Sequence, residues 1–208
     1  MTQVLQYFDR HARRFDHVYD VSGPAARLRA GPAHGRALAA AVVAGSGHPA
    51  VLDVGCGPGR VGEAVLDGGA SEYVGIDVSP RMLALARRRL RGFDRVELIE
   101  GDFRRVVLPR TFEVVLALGL FEYLDEPAAA AAWLRAHCSE MLVASFTRWE
   151  LLKGPARHLH YALHGCRITD YSEAEAEALL TGAGFSGVEF PHQGARGFTA
   201  CARVAGRR

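Results

Sequence analysis

The segment that most restricts the possible folds comprises residues 51–62 and reads VLDVGCGPGRVG. Residues 50–54 are apolar except for Asp53, which is typical of a short buried strand, and residues 60–67 have the spacing of a helix. The turn between them lets the backbone bend sharply and approach a ligand closely, because it contains three residues without a Cβ atom: Gly55, Gly57 and Gly59. A buried strand, a glycine-rich turn and a helix in this order predict the first half of a βαβ unit.

Strands and helices alternate along the residues that follow. We expect strands at residues 50–54, 72–77, 96–99, 112–118 and 141–146, separated by helices at 60–67, 79–90 and 127–138. This spacing predicts right-handed crossovers and a parallel, doubly wound sheet. A helix at 172–183 and strands at 188–191 and 197–204 follow. The short loop 191–196 between these two strands predicts that they pair antiparallel.

The composition is typical of a globular protein, with 49% hydrophobic and 23% charged residues, and 208 residues fit one domain. The sequence has no apolar run of about 18 residues, which argues against a membrane span. It also has no secretory signal. Its four scattered cysteines are typical of reduced thiols. We therefore expect a cytoplasmic protein, and a net charge of +2 gives no reason to expect a nucleic-acid partner.

The glycine-rich turn fits two kinds of nucleotide-derived ligand. Its G-x-G-x-x-G pattern would suit a dinucleotide, and so would the 20 residues from Gly57 to Asp77, an acid that can bind ribose hydroxyls. However, the Asp53 carboxylate would repel a pyrophosphate and attract an α-amino group, and Pro58 removes a backbone N–H from the turn. After the third strand, residues 101–103 (Gly-Asp-Phe) offer a carboxylate and a ring that suit an adenine. Adenine, ribose and an amino-acid tail without phosphate describe S-adenosylmethionine.

These motifs resemble those of the class I S-adenosylmethionine-dependent methyltransferases. VLDVGCGPG is similar to the first motif of that family, YVGIDVSPRML to the second, ELIEGDF to the adenine motif, and FEVVLALGLFEYL to the fourth-strand segment that ends beside the methyl group. The resemblance implies an α/β fold: a Rossmann-like doubly wound seven-stranded sheet with an antiparallel carboxyl-terminal strand and an amino-terminal helical lid. It also implies a set of cofactor-binding residues: Asp53, Gly55, Cys56, Gly57, Gly59, Asp77, Val78, Met82, Gly101, Asp102, Phe103, Leu118 and Gly119.

An amphipathic helix is expected at residues 3–20, with a break at Gly23-Pro24, and a second helix, interrupted at Gly31-Pro32, is expected to run to about residue 44. The segment YFDRHARRFDHVYD of the first helix is similar to the lids of the ubiquinone-type and Mg-protoporphyrin-type small-molecule methyltransferases. In those lids aromatic residues close over the cofactor. The resemblance makes several side chains of this helix candidates for that role, with Tyr19 first among Tyr7, Phe15 and Tyr19.

We treat residues 1–208 as a single domain with a helical lid at 1–45 and a substrate-pocket insertion at 147–171. The insertion clusters four potential metal ligands that complete no familiar ligand pattern, so we predict no metal: His158, His160, His164 and Cys166. The candidate catalytic residues are His160 and Tyr161 of the insertion together with Tyr19 of the lid. Two arginines of the insertion, Arg148 and Arg157, are candidates to bind an anionic group of the substrate.

The predicted reaction is methyl transfer to a small-molecule acceptor, with oxygen favoured as the accepting atom ahead of nitrogen and carbon. The loop after the fourth strand lacks the Asn/Asp-Pro-Pro-Tyr/Phe segment of the enzymes that methylate nucleic-acid amines, and no nucleic-acid or membrane partner is expected. Glu122 stands in that loop where many relatives have a histidine or another polar residue, so the general base stays unassigned.

Several points are left open by the sequence. The basic run at residues 87–91 is expected on a solvated face away from the site. The protein is expected to be a monomer or a homodimer. Two other classes of function remain as alternatives: a nicotinamide-dependent oxidoreductase, and a module that binds the cofactor without catalysing transfer.

Overall fold

The computed structural model describes residues 2–18, 30–149, 154–194 and 196–205 of the chain. The helices are α1 (Thr2–Val18), α2 (Ala30–Gly45), α3 (Arg60–Asp67), α4 (Pro80–Arg89), α5 (Pro127–His137), α6 (Gly154–Leu163) and α7 (Glu173–Gly182). The strands are β1 (Ala50–Val54), β2 (Glu72–Asp77), β3 (Val96–Glu100), β4 (Phe112–Ala117), β5 (Cys138–Thr147), β6 (Phe185–Gly194) and β7 (Gly197–Val204). Short 3-10 turns follow β3 and β4, at Phe103–Arg105 and Phe121–Tyr123.

The seven strands form one sheet in the order β3-β2-β1-β4-β5-β7-β6. Strands β1 to β5 are parallel, and β7 pairs antiparallel with both β5 and β6. The direction of winding reverses between β1 and β4, and ligands of such sheets bind at the carboxyl ends of the strands beside this point. The predicted α/β fold with an antiparallel carboxyl-terminal strand is confirmed.

Apolar side chains on both faces of the sheet hold the two helix layers. On one face, β1 and β4 pack with α2, α3 and α4 through a cluster that includes Val43, Val51, Val65, Leu83 and Leu116. On the other face, a larger cluster joins the sheet to α5 and α7, and it includes Leu52, Val115, Leu134, Leu142 and Leu180. Because strand residues alternate in direction, Asp53 shares a face with Val51 and points toward the α3 layer.

The sequence signals for helix starts work as expected. The Ser79 side chain accepts a hydrogen bond from the N–H of Met82, and Pro80 occupies the first turn of α4. At α7, Ser172 and Glu175 form a complete capping box. These caps fix where each helix leaves the sheet, and the α4 cap lies directly after the carboxyl end of β2.

Three predictions about elements need correction or lie outside the description. Strand β6 extends to Gly194, so the predicted loop at 191–196 is mostly strand. Helix α2 continues through Gly31-Pro32, where we expected an interruption, because a proline is tolerated in the first turn of a helix. The expected break at Gly23-Pro24 lies outside the described residues. In the parts of the chain that the structure describes, no helix combines the length and apolar character needed to cross a bilayer.

Candidate functional site

The glycine-rich turn after β1 adopts the backbone geometry that only glycine tolerates well. Gly55, Gly57 and Gly59 have φ angles of 76°, 54° and 78°, in the left-handed region. A Cβ atom added to Gly57 would meet no atom within 4 Å, whereas one on Gly59 would lie 3.1 Å from the Cα of Ala86. Gly59 is therefore required for packing against α4. Gly57 faces open space at the carboxyl edge of the sheet, where a ligand can approach the backbone.

Asp77 ends β2 directly beside this turn. Its carboxylate accepts hydrogen bonds from the backbone N–H groups of Gly57 and Ser79, both at 2.8 Å. Burial raises the pKa of this carboxyl, and the N–H groups oppose that rise. Each oxygen retains a second lone pair, so the carboxylate is held in place and can still accept hydrogen bonds from two neighbouring hydroxyls.

Asp53 lies inside the sheet, with 1% of its surface exposed. The Tyr73 hydroxyl donates a hydrogen bond of 2.8 Å to its Oδ2 atom. Burial raises the pKa of Asp53 to about 7, the Tyr73 bond lowers it, and the Asp77 charge adds to the rise. A carboxyl with this pKa becomes charged near neutral pH, and a cationic group arriving at the turn would favour the charged form.

Sequence reasoning missed the role of Tyr73. This tyrosine is fully buried, and an added Cβ on Gly62 would lie only 2.6 Å from its Cζ atom. Gly62 is the last glycine of the G-x-G-x-x-G pattern, and it is required here because the Tyr73 ring passes close to α3. The available signal was a tyrosine in the middle of a strand predicted to be buried, since a buried hydroxyl needs a hydrogen-bond partner.

The side chains of Asp102 and Phe103, in the turn after β3, both have partners within the chain. Asp102 is already engaged by Arg104, whose Nη2 atom lies 3.1 Å from the Asp102 Oδ2 atom. The ring of Phe103 packs edge-on against Trp133 at 5.1 Å and is buried in the core. Phe103 thus packs in the core, and its contact with an adenine stays a prediction. Asp102 stays a candidate for the adenine amine, and Gly101, with a φ angle of 155°, opens the turn.

The loop after β4 packs over the glycine-rich turn. The Cδ1 atom of Leu120 lies 3.4 Å from where a Cβ on Gly55 would be, and the Gly119 N–H donates to the Ser145 hydroxyl at 2.8 Å. Leu118 lies against Gly35 of α2, 3.5 Å from a Cβ placed there. The predicted residues of the first and fourth motifs are thus brought together at one edge of the sheet.

The other predicted cofactor residues play packing roles around this edge. Cys56 and Met82 are buried, with 5% and 3% of their surfaces exposed, and Val78 is half-buried next to Asp77. Burial and the charges of Asp77 and Asp53 raise the pKa of the Cys56 thiol well above its ordinary value. Cys56 is therefore a neutral wall of the turn and no nucleophile.

Helix α1, the predicted lid, contacts two of the turns at this edge. At one side, Asp9 accepts hydrogen bonds from the Ser79 hydroxyl at 3.0 Å and from the Arg81 N–H at 3.1 Å, and it forms an ion pair with the Arg81 guanidinium at 3.3 Å. At the other side, Phe8 packs edge-on against Tyr123 at 4.9 Å. The lid therefore connects the turn that follows Asp77 with the turn that follows β4.

An aromatic cluster joins the lid to α6. The Tyr161 and Tyr123 hydroxyl oxygens lie 3.2 Å apart, and the rings of Tyr7 and Tyr161 lie 5.2 Å apart. The Tyr7 hydroxyl and His160 Nε2 are separated by 3.5 Å. The structure thus brings together two of the three candidate catalytic residues, His160 and Tyr161. Tyr19 and the side chain of Phe15 lie outside the described residues.

The remaining histidines and arginines of the insertion have local partners. His158 Nε2 lies 2.6 Å from the Asp170 carboxylate, which Arg157 also binds, and Arg148 binds Glu173. Arg148 and Arg157, the candidates for binding an anionic group of the substrate, are thus both ion-paired with acids of this chain. Across the described residues, no group of three or more histidine, cysteine or acidic side chains is arranged to hold a metal ion.

The basic run also needs correction. Only 17% of the Arg89 side chain is exposed; its guanidinium donates to the Pro58 carbonyl and forms an ion pair with Glu63 at 3.5 Å. Arg89 thus binds the glycine-rich turn through the Pro58 carbonyl, whereas Arg87 and Arg88 are exposed as expected. No feature of the sequence distinguished Arg89 from its neighbours.

Comparisons with known proteins agree with this geometry. Residues 51–141 match the family model described as "Methyltransferase domain". The malonyl-[acyl-carrier protein] O-methyltransferase of Halalkalibacterium halodurans is 31% identical over 91 residues, which are 41% of this chain and 34% of that protein. The mitochondrial ubiquinone biosynthesis O-methyltransferase of Schizosaccharomyces pombe is 34% identical over 83 residues, 37% of this chain and 29% of that protein. The matched segment thus spans about a third of these relatives.

Solved structures extend the likeness to the whole fold. Magnesium protoporphyrin IX methyltransferase of Synechocystis, with bound SAH (S-adenosylhomocysteine), has a TM-score of 0.79 and 21% identity over 98% of this chain and 99% of that one. The N-methyltransferase NodS of Bradyrhizobium japonicum, in complex with the same compound, has a TM-score of 0.75 and 18% identity over 98% and 100% of the two chains. At these identities the likeness shows a shared fold.

Proposed function

We propose that this chain is a class I S-adenosylmethionine-dependent methyltransferase, which the match of residues 51–141 to the methyltransferase domain model supports, and that it transfers the methyl group of this cofactor to an oxygen atom of a small molecule. The observation that carries the proposal is the Asp77 carboxylate, fixed by the N–H groups of Gly57 and Ser79 beside a turn whose central glycine faces open space. The curated relatives named as O-methyltransferases support oxygen as the acceptor.

The residues at the edge suit the three parts of the cofactor. Asp77 accepts hydrogen bonds from the two ribose hydroxyls, and the backbone at Gly57 allows the ligand to approach without a Cβ atom in the way. Asp53, whose charged form a cation favours, holds the α-amino group, directly or through a water molecule. Asp102 and Gly101 bind the adenine end, and Leu118 with Gly119 borders the methyl group.

The bound cofactor supplies an electrophilic methyl group on a sulfonium sulfur. The protein then needs mainly to hold the acceptor in line with that group, and such positioning contributes about 7–11 kcal/mol to lowering the barrier. The lid rings of Tyr7 and Phe8 exclude water above the edge and offer aromatic faces to the positive sulfur. His160 and Tyr161 reach this enclosure from α6, and we propose that they hydrogen bond the acceptor. Tyr19 stays a candidate for the same role.

The first test is thermal unfolding with S-adenosylmethionine, S-adenosylhomocysteine or NADH added separately. A ligand at about 100 times its Kd stabilises the folded state by about 2.7 kcal/mol, which at this chain length raises Tm by roughly 5–10 °C. We expect S-adenosylhomocysteine to raise Tm and the effect to disappear in Asp77→Asn. The control Asp67→Asn, on the exposed end of α3, should keep it. A rise with NADH alone would indicate an oxidoreductase.

A second experiment separates an enzyme from a module that only binds the cofactor. Methyl transfer from labelled S-adenosylmethionine to a panel of small hydroxyl, amine and carboxylate compounds should give a labelled product. Binding of S-adenosylhomocysteine with no product from any acceptor would favour the binding module.

We also propose a cytoplasmic location, which the four buried free cysteines support because such thiols persist in reducing compartments.

A further inference from the structure

Glu122 is a buried carboxyl group that leaves one of its oxygens without a hydrogen-bond partner in the described part of the chain. It lies in the 3-10 turn that follows β4, and 8% of its surface is exposed. Its Oε2 atom is buried and has no hydrogen-bond partner within the described part of the chain. The Thr169 N–H donates to the backbone carbonyl of Glu122 at 2.9 Å, so the turn is fixed without the side chain. A buried polar atom without a partner destabilises the folded state, which calls for a functional explanation.

The position of this carboxyl is at the acceptor end of the proposed site. Its Oε1 atom lies 4.0 Å from where a Cβ on Gly119 would be, and the neighbouring Leu120 packs on Gly55 of the glycine-rich turn. The next residue, Tyr123, meets Tyr161 of α6 through its hydroxyl. Glu122 therefore lies between the loop that borders the cofactor and the aromatic cluster under the lid.

The charges around Glu122 leave it without a fixed counterion. Burial raises its pKa to about 7; its own backbone N–H and Arg157 oppose the rise, and Asp170 adds to it. Arg157 forms an ion pair with Asp170. The buried Nε atom of Arg157 likewise has no partner within the described residues. The Oε2 acceptor of Glu122 and the Nε donor of Arg157, both without a partner among the described residues, therefore line the same region.

We propose that Glu122 contacts the methyl acceptor and takes its proton, and that the acceptor is therefore a hydroxyl or amine compound that arrives protonated. This inference rests on the proposed function. As the acceptor atom forms its bond to the methyl carbon, the C–S bond breaks and its electron pair goes to sulfur. The proton of the acceptor moves to the Glu122 carboxylate, which later releases it to water. The products are the methylated compound and S-adenosylhomocysteine.

The alternative acceptor, a carboxylate, fits this site poorly. A carboxylate is already deprotonated at neutral pH, so it needs no general base. It would also meet the Glu122 charge at close range in a buried site, where two like charges are disfavoured. A hydroxyl or an amine instead donates a hydrogen bond to the unpartnered Oε2 atom. The Arg157 Nε–H can then donate to a second oxygen of the same compound.

A stability measurement tests the buried charge without any acceptor. We compare the Tm of wild type and Glu122→Gln at about pH 5.5 and about pH 8.5. The matched control is Glu177→Gln, at an exposed glutamate of α7. The Tm of Glu122→Gln should gain roughly 5 °C relative to wild type between the lower and the higher pH, since the charged form is penalised only in wild type. If the glutamine variant does not fold, Glu122→Met serves the same comparison. If the Tm difference between Glu122→Gln and wild type is the same at both pH values, the proposal is overturned.

A transfer assay tests the acceptor class with three probes: catechol, benzylamine and benzoate. We expect labelled product from catechol or benzylamine and none from benzoate, with kcat rising with pH through the range near 7. Glu122→Gln should lower kcat by about 10²–10⁴-fold, leave the KM for S-adenosylmethionine unchanged and abolish that pH dependence. A purely structural Glu122 would change stability and KM together. Methylation of benzoate overturns the proposal, and so does failure to methylate either protonated probe.

The two proposals fail in different ways. If wild type shows no Tm shift with S-adenosylhomocysteine, the proposed function is wrong. If wild type binds S-adenosylhomocysteine but Glu122→Gln retains wild-type kcat on a protonated probe, the function stands and the role of Glu122 is refuted.

Discussion

Tyr73→Phe removes a single oxygen atom from the interior and leaves the ring in place. The lost hydroxyl donates at 2.8 Å to Asp53, whose pKa of about 7 lies far above the ordinary value of 3.8. Between these two pH values the folded state binds more protons at Asp53 than the unfolded state does. The free energy of unfolding of wild type therefore falls as pH rises through this window, by at most about 1.4 kcal/mol per pH unit for this group.

The cost of the Tyr73→Phe change depends on the charge of Asp53. At about pH 5.5 Asp53 is mostly protonated, and the hydrogen bond between two neutral groups contributes about 0.5–1.5 kcal/mol. At about pH 8.5 Asp53 is ionised, and the bond to a charged group contributes about 1.5–3 kcal/mol. The variant should therefore lose about 1 kcal/mol more stability at the higher pH than at the lower one.

Denaturant unfolding at the two pH values measures this difference, provided that the m-value is unchanged. Tyr171→Phe is the matched control, made in the Glu122→Gln background because Glu122 lies near this hydroxyl and titrates in the same range: the hydroxyl is also buried and donates at 3.3 Å to the Phe121 carbonyl, a group that does not titrate. Its loss should be the same at both pH values. An equal loss at both pH values for Tyr73→Phe, or a larger loss at the lower one, would refute the assignment of Asp53 as a carboxyl that titrates near neutral pH.

Three further changes test the surroundings of the turn. Gly62→Ala should destabilise the fold by about 1–3 kcal/mol, since the new Cβ would lie 2.6 Å from the Tyr73 ring and the helix-propensity gain is at most about 1 kcal/mol; an unchanged denaturant midpoint would contradict this. Asp9→Asn, which loses the ion pair with Arg81, should weaken S-adenosylhomocysteine binding about five-fold by calorimetry, an energy of about 1 kcal/mol; wild-type affinity would show that the lid does not assist binding. Affinity for the same compound should increase up to about tenfold per pH unit below pH 7 as Asp53 ionises, and Asp53→Asn should remove that dependence.

The order and direction of most strands could be predicted from the sequence because the βαβ pattern depends on local signals. Apolar runs, the cap at Ser79 and the glycines of the first turn each act within a few residues. Asp77 was assigned on the same basis, and the structure places its carboxylate against Gly57, 20 residues away. The full extent of β6 was missed because the strand continues on both sides of residues 188–191 through its pairing with β7, whose register shifts between Ser186 and Glu189 and between Glu189 and His192.

The interior of the site could not be predicted because it depends on contacts between distant residues. Phe103 follows a strand as an adenine-stacking ring would, yet Trp133 of α5 offers it an apolar partner in the core. Arg89 looked like its exposed neighbours, and only the packing of α4 on α3 brings it to the Pro58 carbonyl. Burial of Glu122 likewise depends on the insertion, since Thr169 bonds to its backbone.

The lid and the cofactor turn share one residue, which links their conformations. The backbone N–H of Ser79 donates to Asp77, and its hydroxyl donates to Asp9 of α1, 70 residues earlier in the chain. A ligand that fixes the Asp77 carboxylate therefore also fixes the serine to which the lid binds. The other side of the lid contacts Tyr123, next to Glu122. We therefore expect binding of the proposed cofactor at β2 and enclosure of the proposed acceptor after β4 to be coupled through one helix, so a substitution at Asp9 should affect both.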